Sequence, residues 1–448
     1  MTRRLLLLGL VVAGSRAQAQ DTTKALDRGV RIGITYEPGV RPSIVVLPAR
    51  GLDSARSILA RDLDYSDRFE VVSVPPGDSM ATSLRLPGGG ARVTPQSSTP
   101  NYGLYRAFGA DYGVEIVGPE PVVTVRLHDL AASLVRQEEK VTLPLLTSPG
   151  YRMAVHRVSD QVVRWIMGTP GIAASQILFV SNKRVYRLDS DGAGLQPLTG
   201  ETEEALSPAW SPDGSKMVYT QFAAGRGALV VLTLATGQRA TVPGIAADLN
   251  ITPVFSPDGR SLAFARSNEE GTDIFTFNVA DWCCLQRLTV GRYADNLSPT
   301  YAPDGRRIAF VSTRASLPQI YVMDPDGADQ ELFAPFDYGV TGSSNAPEWS
   351  PDGAMVVFHR EVSRVPQLFL LEVAGRRVRQ LTSTGRNEDA TWAPDGRHLA
   401  FVSDRSGRRQ LWVIDTESGR IRQFTTTGTA RLPAWSRRLQ GAAAGQNP

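Results

Sequence analysis

The stretch Trp210-Ser211-Pro212-Asp213-Gly214 returns four more times. The copies are Phe255-Ser256-Pro257-Asp258-Gly259, Tyr301-Ala302-Pro303-Asp304-Gly305, Trp349-Ser350-Pro351-Asp352-Gly353 and Trp392-Ala393-Pro394-Asp395-Gly396. Their prolines stand 45, 46, 48 and 43 residues apart. Proline at the second position of a turn fixes φ, aspartate suits the third, and glycine accepts the left-handed geometry that closes a hairpin. Five residues after each Gly stands an aromatic: Tyr219, Phe264, Phe310, Phe358 and Phe401. A second apolar run follows each, as in Ile274-Phe275-Thr276-Phe277 or Leu411-Trp412-Val413-Ile414. A more polar segment closes the unit, as in Arg379-Gln380-Leu381-Thr382. One repeat therefore holds four strands, expected to grade from an apolar inner strand to a polar outer one. A period in the forties is the size of one propeller blade.

Two partial repeats flank the five phrases. Ile177–Val180, Val185–Leu188 and Gln196–Thr199 match the later strands of a repeat with no inner strand ahead of them. Pro433-Ala434-Trp435-Ser436 matches an inner strand, with Arg437-Arg438 where Pro-Asp should stand. Together they make one blade, so the chain is expected to close a six-bladed ring with its last strand sealing the first sheet. An open solenoid is the alternative, but it would leave exposed sheet edges and would not explain the complementary halves.

The residues ahead of the repeats read as a different architecture. Gly29–Thr35 alternates and could pair as an edge strand; Ser43–Leu47 reads as a buried strand. A helix is expected over about 53–63, with Ala55, Ile58, Leu59 and Leu63 on one face. Strands follow over 69–74, 112–117, 122–127 and 134–141, with a short helix around 102–108 and a Gly/Pro/Ser-rich loop over 87–99. A long helix is expected over 151–167, with Val155, Val158, Val162 and Ile166 inward. The fold class is thus mainly β with a small α/β domain. We assign 1–19 to a signal peptide, 20–168 to an N-terminal α/β domain, 172–438 to a six-bladed propeller of four-stranded blades, and 439–448 to a tail.

Arg3-Arg4, the apolar run Leu5–Val12 and Ala17-Gln18-Ala19 have the order of a cleaved secretory signal. The run is too short to span a bilayer, so a soluble, periplasmic protein is expected rather than an anchored one. The 448 residues carry 48 basic and 45 acidic side chains, and no run of like charges. That balance argues against a nucleic-acid partner. The only two cysteines, Cys283 and Cys284, are adjacent. An oxidising compartment permits a bridge, but two thiols are the expectation, because neighbours join only through a small ring.

Catalytic signatures are missing: no GxGxxG, P-loop or GxSxG elbow appears. His128, His156, His359 and His398 share no metal-ligand spacing and are expected to be structural. The repeated turn aspartates are expected to shape hairpins rather than bind calcium. No catalytic, cofactor or metal residue is assigned. What remains is the set of loops that lead from an outer strand to the next inner strand. Glu204, Asp248, Asn250, Asp295, Asn296, Asn345, Asn387, Glu388 and Asp389 lie just ahead of or at the start of the inner strands. They could form a polar rim that receives a partner, or they could be ordinary turns rich in Asn and Asp.

In four further stretches the chain resembles the TolB family, the periplasmic component of the Tol-Pal envelope system. These are Gly29–Leu47 (GVRIGITYEPGVRPSIVVL), Ala60–Phe69 (ARDLDYSDRF), Tyr102–Gly118 (YGLYRAFGADYGVEIVG) and Arg152–Gly168, followed by the Pro-Asp-Gly blades. The resemblance implies a non-enzymatic, monomeric adaptor, tied to membranes only through its partners. It implies that the channel face of the propeller receives a peptidoglycan-associated lipoprotein, Pal. It implies that the N-terminal segment, with Val30, Arg31, Ile32, Gly33 and Ile34, docks on an inner-membrane TolA-like protein. The loop Ala247-Asp248-Leu249-Asn250-Ile251-Thr252 departs from the family pattern, lacking an expected His. Two other classes remain possible: the propeller cap of a prolyl-oligopeptidase-type peptidase, and a ligand- or metal-binding propeller. The first would need a hydrolase domain, for which the ten residues after Arg438 leave no room.

Overall fold

The structure, a computed structural model, describes residues 41–73, 100–245, 249–336 and 342–440. The expected signal peptide, the docking segment Val30–Ile34, the loop over 87–99 and Asp248 lie outside the described residues.

The first described element is β1 (Ser43–Val46), the strand next to one edge of a five-stranded sheet. It pairs in parallel with β2 (Glu70–Val71) on one side and β3 (Tyr112–Val117) on the other. β4 (Val122–Asp129) and β5 (Leu134–Thr142) continue the sheet in antiparallel register. Helices α1 (Asp53–Tyr65) and α3 (Tyr151–Met167) cover one face. Their apolar stripes, including Leu59, Leu63, Val155 and Val162, bury against Ile44, Val114, Val125 and Leu127. The short α2 (Tyr102–Ala107) covers part of the other face through Tyr105, against Val45, Leu47 and Leu130. Gly168 stops α3 at φ 77°, a left-handed cap that a side chain would strain. Of the strand expected over 69–74, Glu70 and Val71 pair with Ser43 and Ile44, the Val72 N–H bonds the Ile44 carbonyl at 2.8 Å, and residue 74 lies outside the described residues.

Six four-stranded antiparallel sheets follow. We number the blades by their inner strands: I, Glu204–Trp210; II, Asn250–Phe255; III, Asn296–Tyr301; IV, Ser344–Trp349; V, Asn387–Trp392; VI, Arg431–Trp435. Blade VI is the composite expected from the half-repeats. Its C-terminal strand pairs antiparallel with β6 (Gln176–Ser181), which leads to β7 (Arg184–Asp189) and β8 (Gln196–Pro197). The seam is also fixed by side chains: Trp435 Nε1 donates to Ser175 Oγ at 2.8 Å, and Trp210 Nε1 of blade I donates to the Ala434 carbonyl at 2.9 Å.

The cores of the propeller lie between blades rather than within them. One apolar cluster occupies each of the six boundaries, as where Val218, Leu229 and Val231 of blade I meet Phe255, Leu262 and Phe264 of blade II. The five aromatics placed five residues after Gly are all fully buried. The turn chemistry is as read: the Ser211 carbonyl accepts the Gly214 N–H at 2.9 Å, and Gly214 has φ 71°. The Ser211 hydroxyl also accepts the Lys216 N–H and donates to Asp213, so aspartate is occupied inside its own hairpin.

One expectation is corrected here. The burial does not grade from inside outward; the second and third strands of each blade are the most buried, and the inner strand is half-buried because it lines the channel. A second correction concerns the cysteines. Cys283 and Cys284 are disulfide-bonded at the start of an outer strand. A tight turn with Trp282 and Cys284 both at positive φ, capped by the Asn278 side chain, brings the two neighbours together.

Candidate protein-interaction face

Each inner strand runs from one end of the channel to the other, so the propeller has two distinct ends. One end carries the Pro-Asp-Gly hairpins and the turns between third and fourth strands. The other carries the loops that enter the inner strands and the turns between second and third strands.

The Pro-Asp-Gly end is closed on one side by the N-terminal domain. Asp67, in the turn after α1, meets His398, Arg420 and Arg422 of blade V. Arg152 of α3 bonds Asp189 at 2.9 Å and Asp191 at 2.7 Å in blade VI. Asp160 of α3 accepts the Ala173 and Ala174 N–H groups at 2.8 and 3.0 Å. Burial pushes its carboxyl up to about 6 against those two bonds. Arg438, in the turn that lacks Pro-Asp, donates instead to the Gly171 and Pro170 carbonyls at 2.7 and 3.1 Å, fixing the linker.

Between the ends lies a channel cavity of about 330 Å³. In every blade the inner strand slips register by a bulge. The residues at these bulges are Ser207, Thr252, Ser298, Ala346, Asp389 and Leu432, all with φ of 49–52° and all lining the channel. A bulge releases one residue from the ladder and redirects it. Thr252 Oγ1 uses this freedom to accept the Ser298 N–H of the next blade at 3.2 Å. Glu348 also faces the cavity, accepting the Trp392 N–H and the Thr391 hydroxyl, each at 2.9 Å. Enclosure pushes its carboxyl up to about 7, against those two bonds.

The expected rim residues divide. Asn250, Asn296 and Asn387 are fully buried and cannot present a side chain to a partner. Their amides fasten the blade from within. Asn250 donates to the Gly227 and Ile245 carbonyls at 2.9 and 2.6 Å, and Asn387 to Gln367 and to the Thr384 and Gly385 carbonyls at 2.8, 3.0 and 3.2 Å. The reason is strand pleat: in blades II to V the first residue of the inner strand points into the blade and not out of the loop. Glu204 and Asp295 are exposed, and Glu204 is paired with Lys183. Asn345 is half-buried. Glu388 is paired with Arg409 at 3.0 Å, and Asp389 is at a channel bulge, with its carboxyl raised by burial.

Sequence reading missed the arginines beside the starts of the inner strands, two of which bond these asparagines. Arg266 and Arg360 stand two residues after the buried aromatic on the same strand face, and Arg314 and Arg405 stand four residues after it, in the turn that follows the strand. Arg405 Nη2 donates to Asn387 Oδ1 at 2.7 Å and its guanidinium lies 5.1 Å from the Trp412 ring. Arg314 repeats this with Asn296 at 3.2 Å and Tyr321 at 4.7 Å. Arg360 bonds Ser344 at 2.9 Å and lies 3.9 Å from the Phe336 ring. The even spacing from the aromatic was the available signal.

Sequence reading also missed the apolar character of this end. Tyr293 is 93% exposed and Val290 74%, both in the loop entering blade III. Leu317 and Val362, in the second-to-third strand turns of blades III and IV, are 45% and 39% exposed. Exposed apolar side chains on consecutive blades, flanked by Asp295 and other polar groups, have the make-up of a protein contact surface.

Each of the four histidines has polar or charged neighbours within the fold. The His128 ring lies 3.1 Å from the Tyr102 hydroxyl and 3.4 Å from Glu115. His359 Nδ1 accepts the Asp389 N–H at 3.3 Å, and burial carries its pKa down to about 4. Two buried triplets, Asp62–His156–Asp191 and Asp67–His398–Asp415, offer metal-type donors. In both, arginines already hold the carboxylates: Arg152 and Arg61 on Asp191, Arg397 on Asp415 at 2.6 Å, and Arg420 on Asp67. Among the described residues no helix is long and apolar enough to cross a membrane.

A family model described as the TolB beta propeller domain matches residues 164–335 and 338–442. Two curated relatives carry the name Tol-Pal system protein TolB. The one from Azoarcus sp. strain BH72 is 32% identical over 195 residues, 42% of this chain and 42% of that protein. The one from Methylococcus capsulatus strain Bath is 42% identical over 106 residues, 21% of this chain and 25% of that protein. The alignments thus span less than half the length of these relatives. Among solved structures, TolB from Acinetobacter baumannii superposes with a TM-score of 0.72, covering 89% of this chain and 98% of that one. At 24% identity that likeness establishes a shared fold.

Proposed function

This chain belongs to the TolB β-propeller family, and from that premise we propose that it is a non-enzymatic adaptor of a Tol-Pal system. In this reading the protein is exported to the periplasm with cleavage of its signal, acts as a monomer, and supports outer-membrane integrity and constriction at cell division. The end of the propeller away from the N-terminal domain receives a peptidoglycan-associated lipoprotein. The N-terminal segment, including Val30, Arg31, Ile32, Gly33 and Ile34, engages an inner-membrane TolA-like protein.

The observation that carries the reading is the exposed apolar set Val290, Tyr293, Leu317 and Val362 on blades III and IV, at the end that carries the loops entering the inner strands. A buried aromatic anchor ringed by polar groups is the common make-up of an interface hot spot. Tyr293 is placed to be that anchor, with Glu204, Asp295, Asn345, Glu388 and Asp389 as rim and channel-mouth polar groups. Asp248 belongs to the same loops by sequence and lies outside the described residues. Asn250, Asn296 and Asn387 leave the candidate set.

The test is capture of the soluble domain of the Pal-like lipoprotein from the same genome by the purified full chain. Tyr293→Ala should weaken capture strongly, and Asp295→Lys moderately. Undiminished capture by a Tyr293→Ala, Val290→Ser double variant would remove this face from the account. A separate capture with a TolA-like periplasmic domain, with and without residues 29–35, examines the second partner.

A further inference from the structure

Two histidines join the N-terminal domain to the propeller, and each stands between carboxylates supplied by both. His156 belongs to α3. Its Nδ1 lies 2.8 Å from Asp62 Oδ2 of α1, and its Nε2 lies 3.5 Å from Asp189 Oδ2 at the end of β7. His398 belongs to blade V. Its Nε2 lies 3.1 Å from Asp67 Oδ2 of the N-terminal domain, and its Nδ1 lies 2.8 Å from Asp395 Oδ2 of its own hairpin. Both imidazoles are fully buried.

This geometry constrains the protonation state. An ionised carboxylate only accepts hydrogen bonds, and a neutral imidazole has one donor and one acceptor nitrogen. A ring flanked by a carboxylate at each nitrogen satisfies both only as the imidazolium. The neutral ring would set a lone pair against a carboxylate oxygen in a site that water does not reach, which is costly.

We propose that His156 and His398 form a paired proton-dependent latch: with both imidazoles charged the N-terminal domain is seated on the propeller, and loss of the two protons releases it.

The surroundings support the same sense. His156 faces Asp62, Ser159 and Asp160 from the helices, Asp189 and Asp191 from the propeller, and the cations Arg61 and Arg152 beyond those carboxylates. Burial pulls its pKa down, but the nearby Asp189 carboxylate and the hydrogen bond to Asp62 outweigh this and carry it up to about 10. His398 faces Asp67 and Asp395, with Asp415, Arg397, Arg420 and Arg422 around them and Asp64 at the edge. Burial again lowers its pKa, and the charge of Asp395 with the bonds to Asp395 and Asp67 raises it further.

A histidine raised in the folded state contributes its full stabilisation below the ordinary value near 6.5 and loses it as pH rises through the folded value. Asp67, Asp189 and Asp395 are held below the ordinary carboxylate range, despite burial, by the histidines and arginines beside them. Their contribution is present above about 3.8 and lost as pH falls. The histidine share of docking is therefore full below about 6.5 and lost on the alkaline side, while Asp160, raised by burial to about 6, and Asp62, also raised by burial, lose their share as pH climbs from about 3.8. The arginine pairs at this boundary stay charged across that range, so the alkaline slope belongs to the histidines.

The test is calorimetry of the full chain between pH 6 and pH 10, with wild type and a His156→Gln, His398→Gln double variant. Glutamine keeps a donor and loses the charge. The wild type should lose a separate, earlier transition for the N-terminal domain at pH 6 and regain it as pH rises. Its docking equilibrium should fall by up to tenfold per pH unit for each histidine. The double variant should show the separate transition already at pH 6, with no further dependence on pH. A double variant that retains the wild-type slope overturns the proposal. Should the variant not fold, histidine-selective NMR of the wild type decides: two imidazoles still charged at pH 8 support the latch, and two that titrate near 6.5 overturn it.

Discussion

The two ends of the propeller are made by the same six inner strands, yet they hold opposite kinds of chemistry. The Pro-Asp-Gly end is repetitive and charged, and part of it is buried under the N-terminal domain through Asp67, Arg152, Asp160 and Arg438. The other end is irregular, is fastened from inside by Asn250, Asn296 and Asn387, and exposes Val290, Tyr293, Leu317 and Val362. The difference teaches where repetition is needed. Hairpins that pack against their neighbours around a ring must be alike, whereas loops that meet a partner need not be. Gly353 shows the constraint: a Cβ placed there would come within 3.2 Å of Pro303 in the preceding blade, with φ already at 74°.

The harshest way to break the comparison is to open the ring, because both ends depend on it. A chain ended at Thr429 loses Arg431–Trp435, which pairs with β6 and buries Trp435. It leaves an unpaired strand edge and a half-exposed boundary cluster. We expect the propeller to lose its cooperative melt and the chain to associate, read by circular dichroism and light scattering. A truncated chain that melts with the intact one would show that the seam between Trp435 and Ser175 does not hold the ring.

A smaller break separates fastening from recognition at the irregular end. Asn387→Ala removes three donated bonds and leaves buried acceptors and the Arg405 guanidinium without their partner. A buried group left unsatisfied costs about 1–3 kcal/mol. We expect that loss in chemical denaturation, with partner capture intact once the protein is folded. Tyr293→Ala should do the reverse. Its exposed ring contributes little to folding, within about 0.5 kcal/mol, and a truncated interface anchor costs about 2 kcal/mol of binding. If Tyr293→Ala destabilises the fold as much as Asn387→Ala, the division between the two roles fails.

These pairs also show what could be read in advance. The Pro-Asp-Gly phrase was legible because its turn chemistry is local: proline, aspartate and glycine act on each other within one hairpin. The closing blade was legible because Pro433–Ser436 keeps register with the phrases before it. Asn387 was not legible as a buried fastener, since an asparagine at a strand start reads alike whether it points in or out. The bulges were hidden too, because a residue at φ near 50° leaves no fixed chemical mark, although a proline follows in five of the six, as at Pro253 and Pro299. The histidine sites lay further beyond reach: Asp62 and His156 are 94 positions apart, and Asp67 and His398 are 331 apart. The packing of α1 on α3 brings the first pair together and the docking of the N-terminal domain the second, and no spacing rule connects either.

The mildest probe concerns the channel that runs between the two ends. Glu348 is raised from its ordinary range to about 7 by enclosure, despite the bonds from Trp392 and Thr391. A carboxyl raised in the folded state contributes stability that is fully present below about 4.3 and declines as pH rises through the folded value. Glu348→Gln keeps an oxygen to accept both bonds and has no charge to desolvate. We expect the melting temperature of the variant to gain on the wild type as pH climbs from 4.5 to 7, and the gap to stay constant above that. A gap that does not change over this range would mean that Glu348 is ionised and hydrated. The channel wall would then be open to water, continuous with the irregular end rather than sealed from it, and the boundary between the two ends would lie at the Pro-Asp-Gly hairpins themselves.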